Sequence, residues 1–253
     1  MFRRYGECRT GPTVGGARAW SPTVRPVTEP LPWLFSGPPP DRHAVLQEPV
    51  SFNPDHWLDR LPERWMFDRL ADLAYRQDWQ NTKITRQDVF DLTRTMTTPR
   101  EAIQGYVAIC AWGAGPRARL VGRRVRVLRE NKGVGERLLN ALANAREDNA
   151  VAAYASFQRR GENRLLHLGP AFWTKVLYFG AYDPERGLGP LILDRYVAKA
   201  LNDIAGFGWP RTWNWSQEHY LDYLDAAWRW SDAWGTQDDV VEWALFERGK
   251  SLR

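Results

Sequence analysis

The sequence has little of what metal and redox chemistry commonly uses. It holds two cysteines, Cys8 and Cys110, far apart in the chain. A disulfide framework is not expected from them, and an iron–sulfur cluster, which takes about four thiolates, is excluded. The four histidines (His43, His56, His167 and His219) are scattered without ligand spacing, so neither a metal nor another cofactor is expected. No apolar run approaches the roughly 20 residues that span a bilayer. Met1-Phe2-Arg3-Arg4-Tyr5 leads into no apolar segment of a secretory signal. The expectation is a soluble, cytoplasmic protein with no membrane partner. Lysine is scarce as well. It stands only at 83, 132, 175, 199 and 250, although there are 35 basic residues in all.

What is abundant is arginine and tryptophan. The net charge of +5 and a pI near 9.3 lean toward a polyanionic partner. Arginine grips phosphate with a planar fork and stacks on rings. Most of the 14 tryptophans should fill a core, and a few could stack on bases.

Residues 1–48 hold many of the prolines, including Pro38-Pro39-Pro40, and show no helical or strand period. They read as an extended or disordered arm. Residues 49–253 read as one helical domain. Thr98-Pro99-Arg100-Glu101 is a helix start with a capping box and proline in the first turn. The helix that follows is apolar enough to be central, and Trp112-Gly113-Ala114-Gly115-Pro116 breaks it. Residues 117–129 carry six arginines around a Leu/Val face. Further helices are predicted at 134–146, 150–160, 170–182, 194–205, 216–233 and 237–248. Strand signals are weak throughout, so the fold class is all-α with about ten helices.

The informative stretch lies within 156–205. A short helix ending at Leu168-Gly169-Pro170 and a strongly apolar helix directly after it form a helix–hairpin–helix pattern, whose free backbone N–H groups can hold a DNA phosphate. Lys175 lies one turn into the second helix. Its helical neighbours are Ala171, Phe172, Tyr178 and Phe179. A lysine there is partly desolvated, and an amine that gives up its proton is a nucleophile. A Gly/Pro-rich loop and Leu191-Ile192-Leu193 lead to Asp194, which opens another helix. On spacing alone Asp194 would be a helix cap.

Hairpin, lysine helix, Gly/Pro loop and aspartate, in that order, resemble the helix–hairpin–helix DNA glycosylase superfamily. Within it the chain looks most like the 8-oxoguanine DNA glycosylases. Thr174-Lys175-Val176 matches their nucleophilic lysine, and Leu193-Asp194-Arg195-Tyr196-Val197 matches their aspartate motif. The separation of 19 residues is the family's. Phe172 to Phe179 also resembles the archaeal branch. One departure is plain: Gly169-Pro170-Ala171-Phe172 has one glycine where the usual hairpin has two.

The resemblance implies a two-lobed helical fold with a central cleft, and base flipping from double-stranded DNA that contains a modified base. Lys175 would attack C1′, and Asp194 would act as acid/base and charge stabiliser. AP-lyase cleavage could follow. Trp112, at the tip before Gly113, would wedge into the duplex. Arg117 and Arg119 would hold the backbone, with Leu168 and Gly169 at the hairpin. Phe172, Trp173 and Tyr178 would line the base pocket. The C-terminal Trp228, Trp230, Trp234, Trp243 and Phe246 could also sandwich a base. A monomer in the prokaryotic nucleoid is expected. Two other readings stay open: an antiphage glycosylase that removes hypermodified bases such as glucosylated hydroxymethylcytosine, and a DNA-binding protein without catalysis. A helical protein–protein module is a further class, favoured if the basic residues are evenly spread.

Overall fold

The computed structural model describes residues 32–147, 149–185 and 189–252. The chain is all-α. Twelve α-helices occur among the described residues: α1 (Arg42–Leu46), α2 (Pro54–Leu58), α3 (Asp68–Tyr75), α4 (Arg86–Thr93), α5 (Pro99–Ala114), α6 (Ala118–Glu130), α7 (Val134–Arg146), α8 (Ala150–Ser156), α9 (Pro170–Ala181), α10 (Arg195–Ala205), α11 (Gln217–Trp234) and α12 (Asp238–Ser251). Short 3-10 turns lie at Trp33–Phe35, Arg64–Phe67 and Trp79–Asn81. The one sheet among the described residues pairs two-residue strands antiparallel, β1 (Val50–Ser51) with β2 (Lys83–Ile84). No described helix is long and apolar enough to cross a membrane.

The central helix is α5. Thr98 Oγ1 accepts from Glu101 N, and the Glu101 carboxylate accepts from Thr98 N at 3.0 Å, the expected capping box. Those backbone donors, with Thr97 N, hold the Glu101 carboxyl down at about 2. The helix then runs Ala102, Tyr106, Val107, Ala108, Ile109, Cys110 and Ala111 through the core. A helix apolar on all sides must be covered on all sides. Helices α4, α7 and α9 do this, and α8 packs on α7 and α9. A second group joins α10, α11 and α12, with α11 touching α8. At Gly249 of α12 a Cβ would lie 1.9 Å from Tyr196 O of α10, so only glycine permits that crossing.

Three expectations are corrected. The arm was expected to run to residue 48, but its described part, 32–48, holds a 3-10 turn and α1. Phe35 is buried against Trp230 and Trp234, and Arg42 pairs with Asp239 of α12 at 2.8 Å. Apolar anchors and one ion pair order this proline-rich stretch; residues 1–31 lie outside the described part. The helix expected at 150–160 ends at Ser156. Asn163 folds back to donate from its backbone N to Ser156 O at 2.9 Å and from Nδ2 to Ser156 Oγ at 3.1 Å. Residues 157–169 are therefore a turn-rich loop, and the helix expected to end at Leu168 is absent. Helix α4 was not expected, because its buried residues include an arginine, Arg86.

Candidate active site

Helix α9 begins at Pro170, whose fixed φ suits the first turn. Its buried face runs from Trp173 to Phe179. The segment Leu191–Leu193 beside it is extended and fully buried, so its backbone polar groups need partners. Side chains supply them. Thr174 Oγ1 accepts from Leu193 N at 3.1 Å. Tyr220 OH donates to Leu191 O at 2.8 Å, and Tyr223 OH donates to Ile192 O at 3.0 Å. Thr174 thus fixes Leu193 against α9, and the next residue on each side is Lys175 and Asp194.

Lys175 and Asp194 do meet. Lys175 Nζ lies 3.4 Å from Asp194 Oδ2 and donates to Ala171 O at 3.1 Å. Their side chains are 7% and 12% exposed. Asp194 also caps α10: Oδ1 accepts from Tyr196 N at 2.9 Å and Val197 N at 3.3 Å. The cap and the lysine partner are one residue using two oxygens. The cap holds the carboxylate in place, and Oδ2 is left for the amine.

Rings surround the amine. Lys175 Nζ lies 5.5 Å from the Phe172 ring centre and 5.8 Å from that of Trp112, and Arg124 stacks over Phe172 at 3.9 Å. At Gly113 a Cβ would lie 3.0 Å from Phe172 and 3.2 Å from Lys175 Cδ, so the glycine lets α5 approach the lysine. Cys110 is no nucleophile, because burial pushes its thiol up to about 12. Among the described residues, no three His, Cys, Asp or Glu side chains gather where they could hold a metal ion.

The other expected site residues sort into two sets. Arg117 and Arg119 are exposed at the start of α6. Leu168 is buried, and Gly169 precedes α9 as its N-cap. His167 takes φ +68°, the left-handed conformation that favours glycine. Its Nε2 lies 2.5 Å from Glu130 Oε2, which fixes this turn against the end of α6.

Trp112 is not at a tip. It lies inside α5, half-buried, with its ring edge-on to Phe179 at 5.1 Å and Arg86 at 5.1 Å from its centre. Trp173 faces Tyr154 and Phe157 on the opposite side of α9 from Lys175. Tyr178 is fully buried and donates to Asp239 Oδ2 at 3.1 Å. The C-terminal aromatics are engaged elsewhere: Trp230 and Trp234 on Phe35, Trp243 on Glu48, and Phe246 on Tyr196. Trp228 is exposed.

Sequence reasoning did not find Arg86. It pairs with Glu242 at 2.6 Å, both side chains shut from solvent. Burial disfavours charge there, but Glu242 and Tyr178 outweigh it and hold the guanidinium above its ordinary value. Glu242 Oε1 and Trp112 Nε1 are buried with no hydrogen-bond partner in the structure.

A scan against protein-family models matches residues 43–246 to the family described as "Putative 8-oxoguanine DNA glycosylase OGG-like protein". The chain belongs to this family. It is a DNA glycosylase in that general sense, with DNA as its partner. No curated protein matches the chain, and no solved structure does.

Proposed function

We propose that this glycosylase excises a modified base, 8-oxoguanine first among them, with Lys175 as nucleophile and Asp194 as its acid/base partner and charge stabiliser. The observation that carries the reading is the buried pair at 3.4 Å, with one member on α9 and the other capping α10. A base inside a duplex is out of reach, so it is flipped out. Lys175 Nζ, once deprotonated, forms a bond to C1′. The glycosidic bond breaks, its electron pair leaves on the base, and the base departs protonated. Asp194 takes the amine's proton and faces the positive charge that develops on the sugar. Opening the C1′–O4′ bond then gives an imine on Lys175. Loss of a C2′ proton with departure of the 3′ phosphate would cut the strand, the AP-lyase step.

Phe172 and Trp112, the rings beside the amine, are the better candidates for the base pocket than Trp173 and Tyr178. Arg117, Arg119 and the turn at Leu168-Gly169 before α9 would hold the backbone. The protein would act as a monomer.

Borohydride trapping on a panel of duplexes tests this. The panel carries 8-oxoguanine, other oxidised bases and glucosylated hydroxymethylcytosine. Borohydride reduces the imine to a stable amine, so a covalent adduct should form with one class of duplex and be lost in Lys175→Gln. Asp194→Asn should slow excision. Excision that survives both substitutions sinks the catalytic assignment. An adduct only with the glucosylated base moves the substrate to hypermodified phage DNA.

A further inference from the structure

On the face of α9 opposite Lys175 lies a cleft of about 740 Å³. Its floor is Trp173, whose indole Nε1 is buried and has no hydrogen-bond partner. One wall is Trp215, fixed by its Nε1 donating to Pro210 O at 2.8 Å and by its carbonyl accepting from Tyr154 OH at 2.8 Å. The rim is Trp213, 64% exposed. Next to it Asn214 sits in the left-handed region at φ +68°. Arg159 and Arg160 close the other side, exposed and in no ion pair among the described residues. The same two arginines line an adjoining hollow with Lys132, Arg137 and Arg164, where the five basic residues outnumber Glu162 and Glu130, the latter already paired with Arg126 and His167. Pro170, the first residue of α9, borders the cleft.

We propose that this cleft holds one unstacked nucleotide of the bound DNA strand. A large exposed ring costs solvation unless something covers it, and a base covers an indole face without regard to sequence. Unpaired arginines beside the ring match a nucleotide's phosphate. The basic hollow continues that match along a strand rather than around one isolated anion. The cleft is separate from the pair at Lys175, so it adds grip on an unpaired stretch and does no chemistry. The inference rests on the DNA glycosylase reading.

The full chain is titrated with a fluorescent blunt duplex carrying the excised base, and with the same duplex bearing a short single-stranded extension. The extension should tighten binding about tenfold, the scale of one base stacking on an aromatic ring. Trp213→Ala should remove that gain and leave excision from the blunt duplex unchanged, while Trp213→Phe should keep most of it. Arg159→Ala with Arg160→Ala should lessen the salt dependence of the extension's contribution. No gain from the extension, or a gain that survives Trp213→Ala, overturns the proposal. So does a deoxynucleoside monophosphate that binds in a Trp213-dependent way while extensions do nothing, which would make the ligand a free nucleotide. Loss of excision and binding on the blunt duplex in the unaltered protein would fault the glycosylase reading instead. An unmodified single-stranded oligonucleotide then still reads the cleft.

Discussion

Arg86 and Glu242 meet at 2.6 Å with side chains 4% and 1% exposed. Lys175 and Asp194, also beside the Trp112 ring, meet at 3.4 Å with side chains 7% and 12% exposed. Both are buried ion pairs, and they are built for opposite ends. The first uses a guanidinium, which does not lose its proton in proteins. The second uses an amine, which can, and its carboxylate is already anchored by two backbone N–H groups. Removing the lysine therefore does not leave Asp194 without partners. A pair that must come apart during a reaction should be loose and independently supported. A pair that holds helices together should be tight and mutually dependent.

The sharpest way to break the comparison is to put the cation of the first pair into the second. Lys175→Arg keeps the charge facing Asp194 and removes the amine proposed as nucleophile. Excision should fall by roughly 10³-fold or more, with a melting temperature within a few degrees of the parent. Single-turnover excision and thermal unfolding measure the two effects. Excision within tenfold of the parent would show that Asp194 activates water unaided and that Lys175 is not the attacking group.

The second test breaks the structural pair. Arg86→Met leaves Glu242 as an uncompensated buried charge, and removing one partner of a buried pair costs about 3–5 kcal/mol. Replacing both, with Arg86→Met and Glu242→Leu, should recover most of that loss, because the desolvation cost disappears with the charges. Lys175→Gln should cost much less than Arg86→Met. Denaturant unfolding of the single and double variants gives the numbers. Equal losses at Arg86 and Lys175 would erase the distinction between the pairs.

The two pairs also differ in how much of them was legible in the sequence. Lys175 and Asp194 were legible as a pair through the family resemblance, which rests on chain order: a lysine on an apolar helix, a Gly/Pro loop, then an aspartate that on spacing alone reads as a helix cap. The long helices were legible for the same kind of reason. The Thr98–Glu101 box and the apolar run after it give α5 nearly to its ends.

What was hidden depends on contacts between distant residues. Arg86 and Glu242 are 156 apart in sequence, and each alone reads as a surface charge. Arg42 and Asp239 pin the arm's last part to α12 across 197 residues. Tyr220 and Tyr223 look like core tyrosines, yet their hydroxyls hold the segment that aims Asp194. Trp112 lies inside α5 rather than at a tip because the helix runs two residues further, through Gly113 to Ala114. Gly113 gives room for the lysine where a break was expected.

The smallest effect lies in the acidic start of α12, beside the structural pair, and is read through pH. Burial above all, with the neighbouring Asp239 charge, pushes the Asp238 carboxyl from an ordinary 3.8 up to about 6, against the pull of the Tyr182 hydroxyl that donates to it at 2.5 Å. The folded chain thus keeps this proton over a range where the unfolded chain has lost it. That contribution to stability is complete below about pH 4 and is lost as pH rises through 6. It amounts to about 3 kcal/mol at most, for a shift of about two pH units. Asp238→Asn still accepts from Tyr182 and carries no charge, so its stability should not decline over that window. The measurement is the difference between the parent and Asp238→Asn unfolding free energies from pH 4 to pH 7. It should move in the variant's favour as pH rises, and a flat difference would place the cost of burying this carboxylate elsewhere in the cluster. Glu101, held down at about 2, acts with the opposite sign and at lower pH, and it is common to both proteins.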